Sequence, residues 1–229
     1  IGRMLKMDSD TALLTSVGSG ICGAAAVLGA ESTIRTQPYK TAVSVATVVI
    51  FGTLSMFLYP IAYRSGLLDL TPQEMGIYSG ATLHEVAHAV GAGNAMGGEI
   101  ANVAIIVKMI RVMLLVPVLL ILGFWVARRK SGDNAAEGKG KVNIPWFAVG
   151  FLLVIGFNSF DLLPAALVDT INYIDTFLLT MAMAALGAET SIDKFKKAGA
   201  KPFILAAFLY VWLLGGGYLL SKYLAPIWL

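Results

Sequence analysis

The chain has 229 residues, of which 57% are hydrophobic and only 14% charged, against about 25% charged in an ordinary soluble domain. Together with a mean hydropathy of +0.76, this excludes disorder, a collagen-like fibre and a nucleic-acid-binding domain, and argues against a soluble enzyme. The net charge of +3 has a second use in membrane proteins, where basic residues mark the cytoplasmic loops, and the single cysteine, Cys22, excludes a disulfide framework or a cysteine zinc cage.

A membrane helix needs about 20 mainly apolar residues. In chain order the charge-poor stretches are 11–30, 41–63, 75–98, 100–127, 142–160, 176–188 and 202–221, and they read as seven membrane segments. Gly18-Ser19-Gly20 and Gly23 interrupt the first segment, and the sixth is short, so both are expected to be irregular. Residues 128–141 (RRKSGDNAAEGKGK) read as a flexible cytoplasmic linker. With the N-terminus inside and sides alternating, twelve Lys and Arg fall in inside loops, from Arg3 and Lys6 through Arg64 and Arg128 to Lys201. Arg35, Lys40 and Lys222 fall outside. That bias predicts a multi-pass inner-membrane protein with an external C-terminus.

The sequence also repeats itself. Leu28 to Ile34 reads LGAESTI and Leu186 to Ile192 reads LGAETSI. Five expected crossings separate the copies, so they are expected on opposite faces, as in an inverted-topology repeat. Residues 1–65 then form the end of one repeat and 75–221 a second, with three further helices of a 5+5 arrangement expected before Ile1. In transporters with inverted repeats, broken segments at matching places mark the binding site, and half-helix N-termini suit anions. The rival reading of these glycines and alanines is close helix packing.

Two motifs need separate treatment. Gly18-Ser19-Gly20-Ile21-Cys22-Gly23 fits G-x-G-x-x-G, but the dinucleotide fingerprint requires a strand before it and an acidic residue about 20 positions on. Val43 and Ser44 stand there instead, so the glycines are read as helix breakers. His84-Glu85-Val86-Ala87-His88 is a literal H-E-x-x-H. On one helix it would place two histidines on a common face for zinc, with Glu85 activating water. Asp161 is the best third ligand, which defines an alternative: an intramembrane zinc metalloprotease using His84, His88 and Asp161. The other readings of these histidines are a cavity lining and a polar packing face.

Several stretches resemble the YeiH-like family of bacterial conserved membrane proteins, to which sulfate export is attributed. They are Ser19–Ala24 (SGICGA), Gly80–Glu85 (GATLHE), Ile106–Arg111 (IVKMIR) followed by Pro117, Pro145–Phe147 (PWF) and Ala182–Gly187 (AMAALG). The family's His–acid pair matches His84 and Glu85, whereas Ala25 stands where the family often has serine and His88 is not general. The resemblance implies a fold related to the bile acid:sodium symporter superfamily, with two crossing, broken helices at its centre.

The fold class expected is therefore an all-α polytopic bundle with an inverted 5+5 repeat. The function expected is secondary transport of a small anion, such as sulfate or a related sulfur oxyanion or sulfonate. Its site is placed where 18–23 crosses 180–186, with Ser19, Gly20, Cys22, Gly23, His84, Glu85, Arg111 and Thr180 lining it. His84 and Glu85 form a proton-linked pair. Glu31 and Glu189 are loop anchors first and ion-coupling residues second, with Lys108 a further coupling candidate. Counting back from Arg128 at about 1.5 Å per residue puts Lys108 near the outer boundary, where it can snorkel, and Arg111 about 4.5 Å deeper. No cofactor is expected; H+ or Na+ is the coupling ion. The expected partners are the substrate, the lipid bilayer and a second copy in a homodimer.

Overall fold

The computed structural model describes residues 1–34, 36–133, 146–160, 162–189 and 199–228, and every element among them is helical. Helix α1 (Ser9–Gly20) starts where the Asp8 carboxylate accepts the Thr11 N–H at 3.1 Å. It stops at Ile21–Gly23, where Gly23 takes a φ of +81° that only glycine adopts freely. Helix α2 (Ala24–Ile34) then turns back on α1. Two residues past its end, Thr36 donates to Asp10 at 2.8 Å, and Lys40 pairs with Asp8 and Asp10 at 2.8 and 3.0 Å. Helix α2 is 11 residues long, about 16 Å at helical rise. Had it continued the direction of α1, Thr36 could not reach Asp10. The pair is a hairpin that enters and leaves at one end of the molecule.

Helix α3 (Pro38–Arg64) starts at that same end and runs beside α1 in the same direction, with Thr15 against Ser44 (3.2 Å) and Gly18 against Val48. It is 27 residues long and apolar enough to cross a membrane. At its far end the chain turns into α4 (Pro72–Thr82), which opens on a capping box between Thr71 and Glu74. After Leu83–Glu85 comes α5 (Val86–Met96). Helix α5 runs parallel to α3, with His88 at Gly52, Gly91 at Met56 and Ala95 O at Arg64. It therefore returns to the end from which α4 came, and α4–α5 is a second hairpin entering from the opposite side.

Gly97, at φ +146°, turns the chain into α6 (Gly98–Met113). This helix follows α4 from Gly76 at Val103 to Leu83 at Lys108 and Arg111. It continues as α7 (Leu115–Asp133) after a break at Leu114. Pro117 explains that break, since it has no N–H for the carbonyl of Met113. Gly98–Val126 is a second membrane-length stretch and Lys201–Ile227 a third. The third comprises α10 (Lys201–Leu219), a π turn and part of a short α11 (Ala225–Trp228). Helices α8 (Trp146–Asn158) and α9 (Ala165–Glu189) lie between.

The buried apolar residues form two cores. One joins Leu14, Val27, Ala30 and Val48 to Leu115, Leu119 and Leu122 of α7. The other joins Tyr59, Met75, Tyr78, Leu83, Ala89 and Ala92 to Ile100 of α6.

This architecture corrects several expectations. Segments 11–30 and 75–98 do not cross the molecule; each returns to its own end. With 75–98 removed, four expected crossings separate the LGAE copies, and an even count no longer puts them on opposite faces. Segment 176–188 is not a short, broken span: α9 runs unbroken for 25 residues. Lys40 shares an end with Asp10, where α7 also leaves beside Ile34 through Trp125 and Val126, while Arg64 joins Lys222 at the other end. Residues 128–133 extend α7 instead of starting a linker, and 134–141 lie outside the described residues. Hydropathy reports the length of an apolar run but not its direction, so a run broken in its middle fits a crossing and a return equally well.

A different repeat relates the two hairpins. Helices α2 and α5 have equal lengths and start at Ala24 and Val86, an offset of 62, which also relates Gly18 to Gly80, Ala25 to Ala87, Gly29 to Gly91 and Ala30 to Ala92. Each hairpin is followed by one long helix, and the two units run in opposite directions.

Candidate functional site

The hairpin tips meet in the middle of the molecule. A Cβ built on Gly23 would lie 2.5 Å from Glu85 Cγ and 3.0 Å from His84 O. The Ala24 N–H, the first of α2, donates to Glu85 Oε1 at 3.3 Å. Ala26 and Val27 already bond Gly23 O. In α5 the first ladder bond is Ala89 N–H to Glu85 O, which leaves the first-turn N–H groups of Val86, Ala87 and His88 ahead of any intrahelical carbonyl. Both helix N-termini, with their partial positive charge, thus point into one buried region.

The C-terminal ends of α1 and α4 are there too, and they are treated differently. Leu83 O accepts from Lys108 Nζ and from Arg111 Nη1 at 3.0 Å, and Gly20 O accepts from Arg111 Nη2 at 2.9 Å. Two basic side chains of α6 therefore occupy the partially negative helix ends, the favourable polarity for a cation. Arg111 ties one hairpin to the other. Lys108 is fully buried, so the snorkelling position expected for it is wrong. Its depth was counted from Arg128 as a boundary, and α7 continues past that residue to Asp133.

His84 and His88 are both buried and pack on Gly52 of α3, with His88 Nε2 3.4 Å from Thr53 Oγ1 and the His84 ring 6.5 Å from that of Tyr210. Among the described residues, His84 Nδ1, His88 Nδ1, Glu85 Oε2 and the Tyr210 hydroxyl are buried without a hydrogen-bond partner. Unpaired atoms on two histidines that share the Gly52 seat, and on the carboxylate that follows the first of them, are unusual, since buried polar atoms are normally paired.

The expected site residues divide cleanly. Ser19, Gly20, Cys22 and Gly23 surround the first tip, with Ser19 and Cys22 buried. His84, Glu85, Lys108 and Arg111 surround the second. Thr180 is elsewhere: it is exposed on α9, and its hydroxyl bonds Thr176 O at 2.8 Å. Glu31 is half-buried near the outer end of α2, about 11 Å along the helix from the tip. Glu189 is the last residue of α9, and Asp161 lies outside the described residues. The zinc pattern does not form as expected, because the helix breaks inside the motif. Helix α5 starts at Val86 with Glu85 as its N-cap, so His84 and His88 are not one helical turn apart on a continuous helix. The part played by Leu83 O and by the Gly52 seat was invisible in the sequence; an offset scan at 62 would have exposed the paired hairpins.

A family model described as "Conserved hypothetical protein 698" matches residues 1–206. A UPF0324 membrane protein of Bacteroides thetaiotaomicron is 70% identical over 227 residues, covering 99% of this chain and 68% of that protein. A UPF0324 membrane protein of Bordetella bronchiseptica is 54% identical over 222 residues, covering 96% and 68%. The UPF0324 inner membrane protein YeiH of Escherichia coli is 48% identical over 215 residues, covering 94% and 61%. No solved structure matches. The chain belongs to this family of membrane proteins, the one its YeiH-like motifs resemble.

Proposed function

We propose that this member of the family is a secondary active transporter of small anions, with sulfate, sulfite and sulfonates as the first substrates to test. One observation carries the reading. Two half-helix N-termini converge beside two basic side chains, the buried Lys108 and the half-buried Arg111, and one buried carboxylate, Glu85. The excess of positive charge favours an anion. Broken helices of this kind are built where irregular backbone lines a cavity, and in transporters their N-termini face anionic substrate groups.

In this reading the substrate sits between the tips, near Ser19, Cys22 and Gly23 on one side and His84 and the first turn of α5 on the other. Lys108 and Arg111 supply the field while holding the tips in register. Alternating access comes from displacement of one hairpin unit against the other, with H+ or Na+ as coupling ion. The protein lies in the bacterial inner membrane, with the Lys-rich and Arg-rich end at Asp10 and Val126 in the cytoplasm and the C-terminus outside.

The test is flux. The intact protein in proteoliposomes should move labelled sulfate, sulfite or methanesulfonate under an imposed proton or sodium gradient. Absence of movement for all three under both gradients would sink the reading.

A further inference from the structure

We infer that Glu85 is a tethered stand-in for the transported anion, occupying the place at the start of α2 that the substrate takes over. This rests on the anion-transport reading and adds how the site is regulated.

Four observations lead there. First, Glu85 caps the wrong helix. It is the N-cap residue of α5, yet its side chain makes no capping bond there; it reaches across to the Ala24 N–H of the opposing hairpin instead. Second, the contact is built in from both sides. Only a glycine at 23 leaves room for the Glu85 methylene, which would otherwise meet a Cβ at 2.5 Å. Third, the carboxylate is only half used. The side chain is more than nine-tenths buried, and Oε2 has no partner among the described residues. A carboxylate placed for stability alone would have both oxygens bonded. Fourth, it is the one buried acidic side chain among the described residues, and it lies at the α2 end that attracts anions, while the basic side chains facing it from α6 are engaged on carbonyls.

A carboxylate presents two oxygens on one edge, as sulfate and sulfonates do. Both need N–H donors and a positive helix end, so one position cannot hold both. The incoming anion therefore binds only to molecules in which Glu85 has swung off Ala24, and the measured affinity is the intrinsic affinity reduced by that fraction.

The test measures binding of sulfate, sulfite and methanesulfonate to the intact purified protein by calorimetry, for wild type, Glu85→Gln, Glu85→Ala and Glu85→Asp. Removing the internal competitor should tighten binding about tenfold in Glu85→Gln and Glu85→Ala. Glu85→Asp, one methylene too short to reach Ala24, should also bind more tightly than wild type. Free acetate should compete with sulfate in Glu85→Ala and have much less effect on wild type. Unchanged or weaker binding in variants that melt as wild type does would overturn the inference and leave the transport reading standing. If wild type and all variants bind none of the three anions, both fall.

Discussion

The two hairpins have equal second arms and opposite directions, but their tips are made in different ways. The first tip, Ile21-Cys22-Gly23, carries no charge and turns through its own glycine at φ +81°. The second, Leu83-His84-Glu85, contains neither glycine nor proline, and Leu83 and Glu85 are simply extended. It is held open from outside, by Lys108 and Arg111 on Leu83 O. One break is written into its own residues and the other into its neighbours. The first should therefore be sensitive to its glycine, the second to α6.

The strongest way to break this comparison is Gly23→Val. It combines a left-handed backbone position with a collision against Glu85, so a loss of about 3 kcal/mol or more is expected, read by equilibrium unfolding in micelles. A near-neutral result would show that the first tip is also held from outside. Next is Arg111→Ala, expected to cost about 2–3 kcal/mol because Leu83 O and Gly20 O each lose a charged donor. Lys108→Met should cost less, since Leu83 O keeps Arg111 and a buried cation is removed. Equal losses would argue against Arg111 as the tie between hairpins.

The repeat partners Gly18 and Gly80 sharpen the contrast further. A Cβ at Gly80 would press on the backbone carbonyl of Ala104, whereas at Gly18 it would meet methyl groups of Val27 and Val48 at 2.5 and 2.8 Å. Side chains adjust more readily than backbone. Gly80→Ala should therefore lose about 2–3 kcal/mol and Gly18→Ala about 1–2 kcal/mol by the same unfolding measurement.

The smallest effects lie at the hairpin entrances. Thr71→Ala removes the capping box of α4 and should cost about 1 kcal/mol. At α1 the cap is Asp8, whose carboxyl is held below its ordinary range chiefly by the Lys40 ammonium. A carboxyl lowered on folding contributes stability above its unfolded value, about 3.9, and loses it as the pH falls through the lowered folded value. An acid titration of unfolding should show this loss in wild type and in Thr71→Ala, but not in Asp8→Asn.

These contrasts explain what the sequence made legible. The long apolar runs at 41–63, 100–127 and 202–221 correspond to the three stretches among the described residues that are long and apolar enough to cross a membrane, because length and hydropathy are local properties. The break near Gly23 was legible for the same reason. The break at Leu83 was not, since nothing in Leu-His-Glu resists a helix and the contacts that open it come from residues 25 and 28 positions away. His84, Glu85 and Arg111 stood out as ionisable residues inside apolar runs, but their common meeting point depended on both hairpins turning back. Thr180 was drawn into the site by the LGAE repeat, whereas the repeat that organises the tips keeps only scattered glycines and alanines.

The interruption at Leu114, three residues after Arg111, gains meaning from the two cores. Helix α6 contributes Ile100 to one core, and α7 contributes Leu115, Leu119 and Leu122 to the other. Helix α3 is divided likewise, with Val45 and Val48 in the first and Tyr59 in the second. Among the described residues, the two half-bodies are thus joined by α3, by α6–α7 with its proline joint at the seam, and by α10, which meets Lys6 at its start and Tyr78 and Thr82 near its end. Any shift of one half-body against the other therefore has to pass through that joint, the middle of α3 and the length of α10. Arg111, one turn before the joint, clasps both sides of the seam through its bonds to Gly20 O and Leu83 O.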